Sequence, residues 1–223
     1  SFKISSVPFQ MWVPDVYEGA PTPITALLSV ASKAAGFAVI LRVFYGAFEF
    51  VSVDWANLFA ILSVLSMSLG NLVAIVQKNI KRMLAYSTIA HAGYIIVGLA
   101  AIASGLSDQS SLGPGGILFY LAAYTVTNLA AFFVVIVIST KTGSELISDY
   151  AGLGSRAPIL AGVLALSMIS LIGLPPTAGF IAKLYIFNAA VSSGLVWVDL
   201  IGVINSVISA YYYLRVIKVM YLS

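Results

Sequence analysis

An all-α, polytopic transmembrane helix bundle is the fold that this sequence predicts. Of its 223 residues, 61% are hydrophobic and only 9% charged, and the mean hydropathy is +1.03; a soluble domain carries roughly 25% charged residues. Stretches free of Asp, Glu, Lys and Arg recur at 55–77, 83–107, 109–140, 157–182, 184–198 and 200–214, most of them long enough for the ~20 residues a helix needs to cross a bilayer. The basic residues between them segregate to one side once the spans alternate in direction, as membrane topology requires.

Taken in order, the chain opens on a partial helix ending near Trp12, interrupted at Val7-Pro8-Phe9 because proline removes a backbone donor. A loop over 12–22 follows, with Pro14, Asp15 and Glu18 but no basic residue. Allowing single internal lysines, helices are expected at about 22–46, 55–77, 81–104, 115–140, 157–190 and 196–221, joined by short linkers rich in Gly, Ser and Pro. The longest polar connection, about 140–157, is too short to form a core of its own. The stretch from Ala157 to Val198 is too long for one straight crossing, and it contains Gly173-Leu174-Pro175-Pro176-Thr177-Ala178-Gly179. Adjacent prolines force the helix to break there.

Alternating crossings put Lys78, Lys81, Arg82, Lys141, Arg156, Arg215 and Lys218 on one face and only Arg42 on the other. The first face is therefore cytoplasmic. Lys78, Lys81 and Arg82 read as a helix-end anchor among lipid headgroups. The formal charge of +3, from 11 basic and 8 acidic residues, is too small and too scattered for nucleic-acid binding. The absence of cysteine excludes disulfides, iron–sulfur ligation and thiolate catalysis, and the single histidine leaves no His-rich metal or haem site. No metal and no redox centre is expected in this chain. The opening at Ser1, with neither Met nor a signal-peptide pattern, suggests a piece of a longer membrane protein.

Two lysines fall where charge is costly, and a third does so on one condition. Lys33 lies eleven residues beyond Thr22, roughly 16 Å deep and close to the midplane, where a lysine costs at least about 2.5–3.5 kcal/mol. It is expected to face the protein interior or a wet cavity; the alternative, a snorkelling lysine near a helix end, requires the helix start to be displaced by several residues. Lys183 follows the Pro175-Pro176 break by about two turns. A broken helix in lipid needs polar company or water, so Lys183 is either that company or an interfacial anchor beside a packing kink. Lys3, ahead of Pro8, is intramembrane only if the partial helix continues upstream. The two breaks are five crossings apart, so their helices run in opposite directions, the arrangement of inverted repeats with paired discontinuous helices.

Ser87, His91, Tyr94 and Gly98 share one helix face at spacings of 4, 3 and 4. His91 is suited to a proton relay and equally to a satisfied core hydrogen bond. Tyr120, Tyr124, Thr127 and Asn128 make a similar stripe, read first as interhelical hydrogen bonding. Burial and neighbouring charges shift a lysine's proton affinity, so this string of ionisable groups has the chemistry of a proton path. No nucleophile with its base, metal cage or phosphate loop accompanies it.

The segment 8–37, PFQMWVPDVYEGAPTPITALLSVASKAAGF, resembles the signature of the subunit N (subunit 2) family of respiratory complex I, the NADH:quinone oxidoreductase. It is similar to the wider antiporter-like family that shares W-x-P-D and P-T-P patterns; Ala31-Ser32-Lys33-Ala34 favours the N type over its L and M sisters. NIKRMLAYSTIAHAGY (79–94), YTVTNLAAF (124–132), GLPPTAGFIAKLYIF (173–187) and YYYLR (211–215) extend the likeness over essentially the whole chain.

The resemblance implies about fourteen transmembrane helices in two inverted five-helix repeats, of which this chain matches the seventh to the thirteenth. Residues 1–223 then form one transmembrane domain: 1–46 the end of a first repeat, with its broken helix and following span, and 55–221 a second repeat broken at 157–190. Lys3 matches the lysine of the first discontinuous helix, Lys33 that of the next helix, His91 a central histidine and Lys183 the lysine of the second discontinuous helix. Pro8, Gly173, Pro175, Pro176 and Gly179 mark the breaks, and Ser87, Tyr94, Tyr124 and Asn128 supply supporting polar groups. Asp15 and Glu18 have no assigned role, and neither has Lys78.

In the family these lysines and the histidine form a hydrated axis that carries protons, driven by quinone reduction elsewhere in the complex; the glutamate that pairs with the first lysine lies upstream of this sequence. The function implied is a proton-translocating subunit of a multi-pass energy-converting membrane. Quinone, NADH or a related donor, flavin and iron–sulfur clusters are expected in partner subunits, and neighbouring antiporter-like and small membrane subunits are the expected partners. The rival readings are a cation/proton antiporter subunit, and a structural subunit whose lysines lock helices through buried ion pairs.

Overall fold

A computed structural model describes residues 1–46, 52–104 and 112–222. In chain order these form α1 (Trp12–Gly19), α2 (Thr22–Gly46), α3 (Ser52–Val76), α4 (Ile80–Ala103) and α5 (Leu112–Thr142). A 3-10 turn at Ile147–Tyr150 then leads to α6 (Leu153–Arg156), α7 (Pro158–Ile172), α8 (Ala178–Ser192) and α9 (Val196–Leu222). The described residues include no strand beyond an isolated bridge between Asn79 and Leu146. The linkers expected at 47–54 and 105–114 lie largely outside the described residues.

Among the described residues five helices, α2, α3, α4, α5 and α9, are long and apolar enough to cross a bilayer. The expected crossing at 157–190 is made by α7 and α8 in series, 15 residues each. At the centre stands α4, buried along almost its whole length and packed by α1, α3, α5 and α8. Leu27 and Val39 of α2, Leu118 and Val126 of α5, and Val207 of α9 project outward. Lipid tails are as apolar as the bundle core, so helix association rests on close packing and interhelical hydrogen bonds rather than on escape from water.

The break between α7 and α8 has a definite construction. Gly173 caps α7 in the left-handed region at φ +84°, and its N–H bonds Ile169 and Ser170 carbonyls. A glycine there avoids the Cβ penalty of that conformation. Neither Pro175 nor Pro176 can donate, and Thr177 begins the next helix. At Gly179 a side chain would collide with the Ser170 carbonyl oxygen, so only glycine lets the start of α8 cross the end of α7.

Two expectations for the first residues need correction. Residues 1–11 form turns rather than the end of a helix, with Ser5 at φ 63° and Val7 N–H bonded to Ser66 Oγ of α3 at 3.0 Å. Pro8 lacks the amide a helix would use and disfavours helical geometry at Val7. The supposed loop 12–22 contains α1, with Asp15 in its first turn and Val13, Pro14 and Tyr17 buried; Pro14 is tolerated because it stands in that first turn.

The basic cluster at the start of α4 is also not the lipid-facing anchor expected from sequence. Lys81 is buried, pairing with Glu145 at 2.7 Å and donating to the Ala20 carbonyl at 2.9 Å. Arg82 pairs with Asp15 at 3.0 Å and Glu18 at 2.5 Å. Asn79 caps α4 by accepting from the Lys81 and Arg82 amides, while its own amide reaches Glu18 and Glu145. Only Lys78 of the three is exposed. Asp15 and Glu18 thereby gain a physical role: they clasp α1 to α4 beside the 140–157 connection. Across the same face, Arg215 of α9 donates to the Ile75 and Gln77 carbonyls, groups that the end of α3 leaves without helical partners.

Candidate proton-transfer site

Lys33 sits midway along α2 with 1% of its surface exposed. Its ammonium donates to the Thr88 carbonyl of α4 and stands 5.9 Å from the centre of the Tyr124 ring. Thr88 donates its hydroxyl proton to the Leu84 carbonyl at 2.7 Å, so the contact with Tyr124 at 2.9 Å is a donation from the phenol. The Tyr17 side chain of α1 approaches the same threonine.

His91, one turn further along α4, is held at both nitrogens: Nδ1 lies 2.7 Å from the Tyr120 hydroxyl and Nε2 3.3 Å from that of Tyr213. Its ring packs against Tyr124 with centroids 5.1 Å apart and edge-on against Tyr94 at 5.9 Å. Ser87 bonds the Tyr213 hydroxyl. A histidine with a hydroxyl at each nitrogen can take a proton on one side while giving one up on the other.

Lys183 lies five residues beyond the start of α8, and its ammonium turns back to the break. It donates to the Ile172 carbonyl at 2.8 Å and to Ser206 Oγ of α9 at 3.1 Å, and it stands 4.4 Å from the centre of the Tyr94 ring. The Ile172 carbonyl is one that the end of α7 leaves without a helical partner, and the C-terminal end of a helix favours a cation. A cation over an aromatic face adds to this. The Gly173 that ends α7 is also where a Cβ would come to 3.0 Å from the Lys183 stem.

Between His91 and Lys183 lies a cavity bounded by Tyr120, Tyr124, Thr127, Ser170 and Gly179, with room for on the order of one water molecule. In its lining Thr127 and Ser170 are hydrogen-bonded to each other at 3.2 Å. Lys33, His91 and Lys183 are thus brought together around α4, and of the supporting set Ser87, Tyr94 and Tyr124 all touch one of them or a direct partner. Asn128 donates to Ser29 of α2 at 2.7 Å, one turn from Lys33 on the facing helices.

Lys3 is not part of the assembly. Its side chain is exposed, although its backbone runs beside Gly36 of α2, where a Cβ would stand 3.9 Å from the Lys3 carbonyl carbon. Pro8 is likewise exposed. The described residues hold no group of three or more His, Asp or Glu arranged to bind a metal ion.

Several participants escaped the sequence reading. Tyr213, Thr88, Ser206 and Ser29 belong to the network, and a second amide cluster joins it: Asn71 donates to Tyr94 and to Asn205, and Tyr212 donates to Asn71 at 3.0 Å. The available signal was polarity itself, because Asn71 and Asn205 are amides within long apolar spans, where an unpaired polar group is costly.

Residues 1–209 match the family described as NADH:quinone oxidoreductase/Mrp antiporter, transmembrane. The chain is 53% identical over 224 residues to NADH-quinone oxidoreductase subunit N of Dehalococcoides mccartyi, covering 99% of this chain and 46% of that protein. Among solved structures it superposes on a chain of respiratory complex I from Thermus thermophilus with a TM-score of 0.83 at 35% identity, covering 100% of this chain and 47% of that one. It superposes on the archaeal membrane-bound sulfane sulfur reductase with a TM-score of 0.88 at 28% identity, covering 99% and 44%. The chain therefore spans about half the length of the relatives it matches.

Proposed function

The chain belongs to the NADH:quinone oxidoreductase/Mrp antiporter transmembrane family, and from that premise we propose that it is a proton-translocating part of subunit N of a quinone-reducing complex. The observation that supports this most directly is the convergence of Lys33, His91 and Lys183 around α4: Lys33 on the Thr88 carbonyl, His91 between the Tyr120 and Tyr213 hydroxyls, Lys183 on the Ile172 carbonyl and the Ser206 hydroxyl, with a water-sized cavity between His91 and Lys183. In this reading Lys33 is the central relay. It takes up a proton from the inner side, and the proton reaches His91 past Thr88 and Tyr124. The imidazole receives it at one nitrogen as the other releases its own toward the cavity, and Lys183 accepts it there before release to the other side. Each donor returns to its starting state when the next proton arrives, so no net chemistry remains on the chain.

Residues 1–46 then close one repeat and 55–221 form the second, with Lys3 directed to the charge pair of a neighbouring segment. Quinone reduction, NADH or a related electron donor, flavin and iron–sulfur clusters belong to partner subunits, alongside antiporter-like and small membrane neighbours.

Lys183→Met in the assembled complex tests the reading. The expected result is normal assembly, with proton pumping and coupled quinone reduction both falling about tenfold or more, the scale of losing a positioned proton-transfer group. Wild-type pumping would remove Lys183 from the path, and failure to assemble would favour a purely structural role.

A further inference from the structure

Two buried groups on facing helices are each short of a partner. Lys33 as an ammonium carries three donors, yet among the described residues it has one acceptor, the Thr88 carbonyl, with the Tyr124 ring at the outer limit of cation–π range. Lys183, by contrast, has two acceptors and an aromatic face. Asn128, 1% exposed, donates to Ser29, and its Oδ1 is buried with no hydrogen-bond partner among the described residues. The amide cannot simply be reversed, because Ser29 spends its proton on the Ala26 carbonyl at 2.7 Å and can only accept from Asn128.

These deficits lie on adjacent rungs. Antiparallel α2 and α5 pair Ser29 with Asn128, and one turn further Lys33 with Tyr124. Asn128 is on the inner-face side, because α5 ends on that face beside Lys141. Leaving Thr88 costs its carbonyl little, since that oxygen lies inside a helix with its own backbone donor. Leaving Oδ1 empty costs a buried acceptor its partner.

Resting on the proton-relay reading, we infer that Asn128 is a positioning residue for Lys33. Its Oδ1 is the second, inner-side acceptor of the Lys33 ammonium, reached by the flexible four-carbon stem directly or through one water. The ammonium then has two resting places: at Asn128, nearer the inner face, where a proton is acquired, and at Thr88, beside the His91 network, where it is passed on. No atom other than the transferred proton changes partners covalently. The serine one turn below Lys33 acts through Asn128 by fixing the direction of its amide.

The test compares four versions of the whole complex in proteoliposomes: wild type, Lys33→Met, Asn128→Leu and, as a second substitution at the site, Asn128→Asp. Asn128→Leu is expected to assemble, to lower pumping about tenfold through loss of a hydrogen bond to a charged group, and to displace the pH profile of pumping. Asn128→Asp is expected to trap the ammonium and lower pumping at least as much. In a high-resolution structure of the wild-type complex, density for Lys33 or one bridging water is expected at Asn128 Oδ1. Wild-type pumping and pH profile in both Asn128 variants, with Lys33→Met inactive, would overturn this inference alone. The same holds if Oδ1 is found occupied by a different protein donor. Normal pumping by Lys33→Met would overturn the relay reading and this inference with it.

Discussion

Tyr213 shows how one hydroxyl can join two networks. It touches Ser87 on one side and His91 Nε2 on the other, while its ring packs on Tyr212 with centroids 4.4 Å apart. Tyr213→Phe keeps the ring and deletes the bridge, so the complex is expected to remain stable while pumping slows about tenfold, the scale of one buried hydrogen bond to a group that becomes charged. The check is the initial rate of acidification under saturating donor and quinone, and an unchanged rate would take Tyr213 off the path. The YYYLR motif drew attention to this segment, but three consecutive tyrosines hide the helix phase. Tyr211 points outward at 62% exposure, while Tyr212 and Tyr213 are fully buried. Lys33 and Lys183 were legible for the opposite reason: charge at depth in an apolar span must face the bundle interior or water once snorkelling is out of reach. Lys3 gave no such certainty, and its side chain lies outside the bundle.

Among the elements, α1 and the start of α4 behave as one electrostatic unit. Lys81 is the buried member of its pair, and its partner Glu145 is a quarter exposed. Glu145→Gln leaves a buried ammonium without its counter-charge and is expected to destabilise the subunit by roughly 1–3 kcal/mol, toward the lower end for a pair that water still reaches. Lys81→Met removes the charge instead and is expected to cost less. Thermal unfolding of the purified complex, followed by release of this subunit, distinguishes them; equal stability of Glu145→Gln and wild type would show that the clasp contributes nothing. The long spans were readable from apolar runs, and the α7–α8 break from Pro175, Pro176 and their flanking glycines. The clasp was not, because its charges come from three connections far apart in sequence. The same basic residues that report topology were therefore mistaken for lipid anchors. Two-turn α1 was missed because Pro14 and its short length carry no periodic signal.

For the molecule as a whole, the basic residues divide by place: most sit at helix ends and connections, Lys81 among them buried in an ion pair with Glu145, whereas Lys33 and Lys183 are buried within helices without a carboxylate partner among the described residues. On the positive-inside reading seven basic residues mark the inner face, whereas Lys33 and Lys183 reach α4 from two other helices, α2 and α8. Hydropathy alone ordered the spans, but it cannot say which faces meet, since both lipid and bundle interior accept apolar side chains. The network around His91 depends on those meetings. Its partners come from α4, α5 and α9, and no spacing within one helix encodes them. The central claim is that Lys33 is an obligatory stop for every proton this subunit carries. The most direct measurement is protons pumped per electron by proteoliposomes containing the assembled complex with Lys33→Met, after assembly and quinone reductase activity have been verified. The expected result is an intact complex in which pumping and coupled electron flow both fall by about tenfold or more. An intact complex that pumps at the wild-type stoichiometry would contradict it.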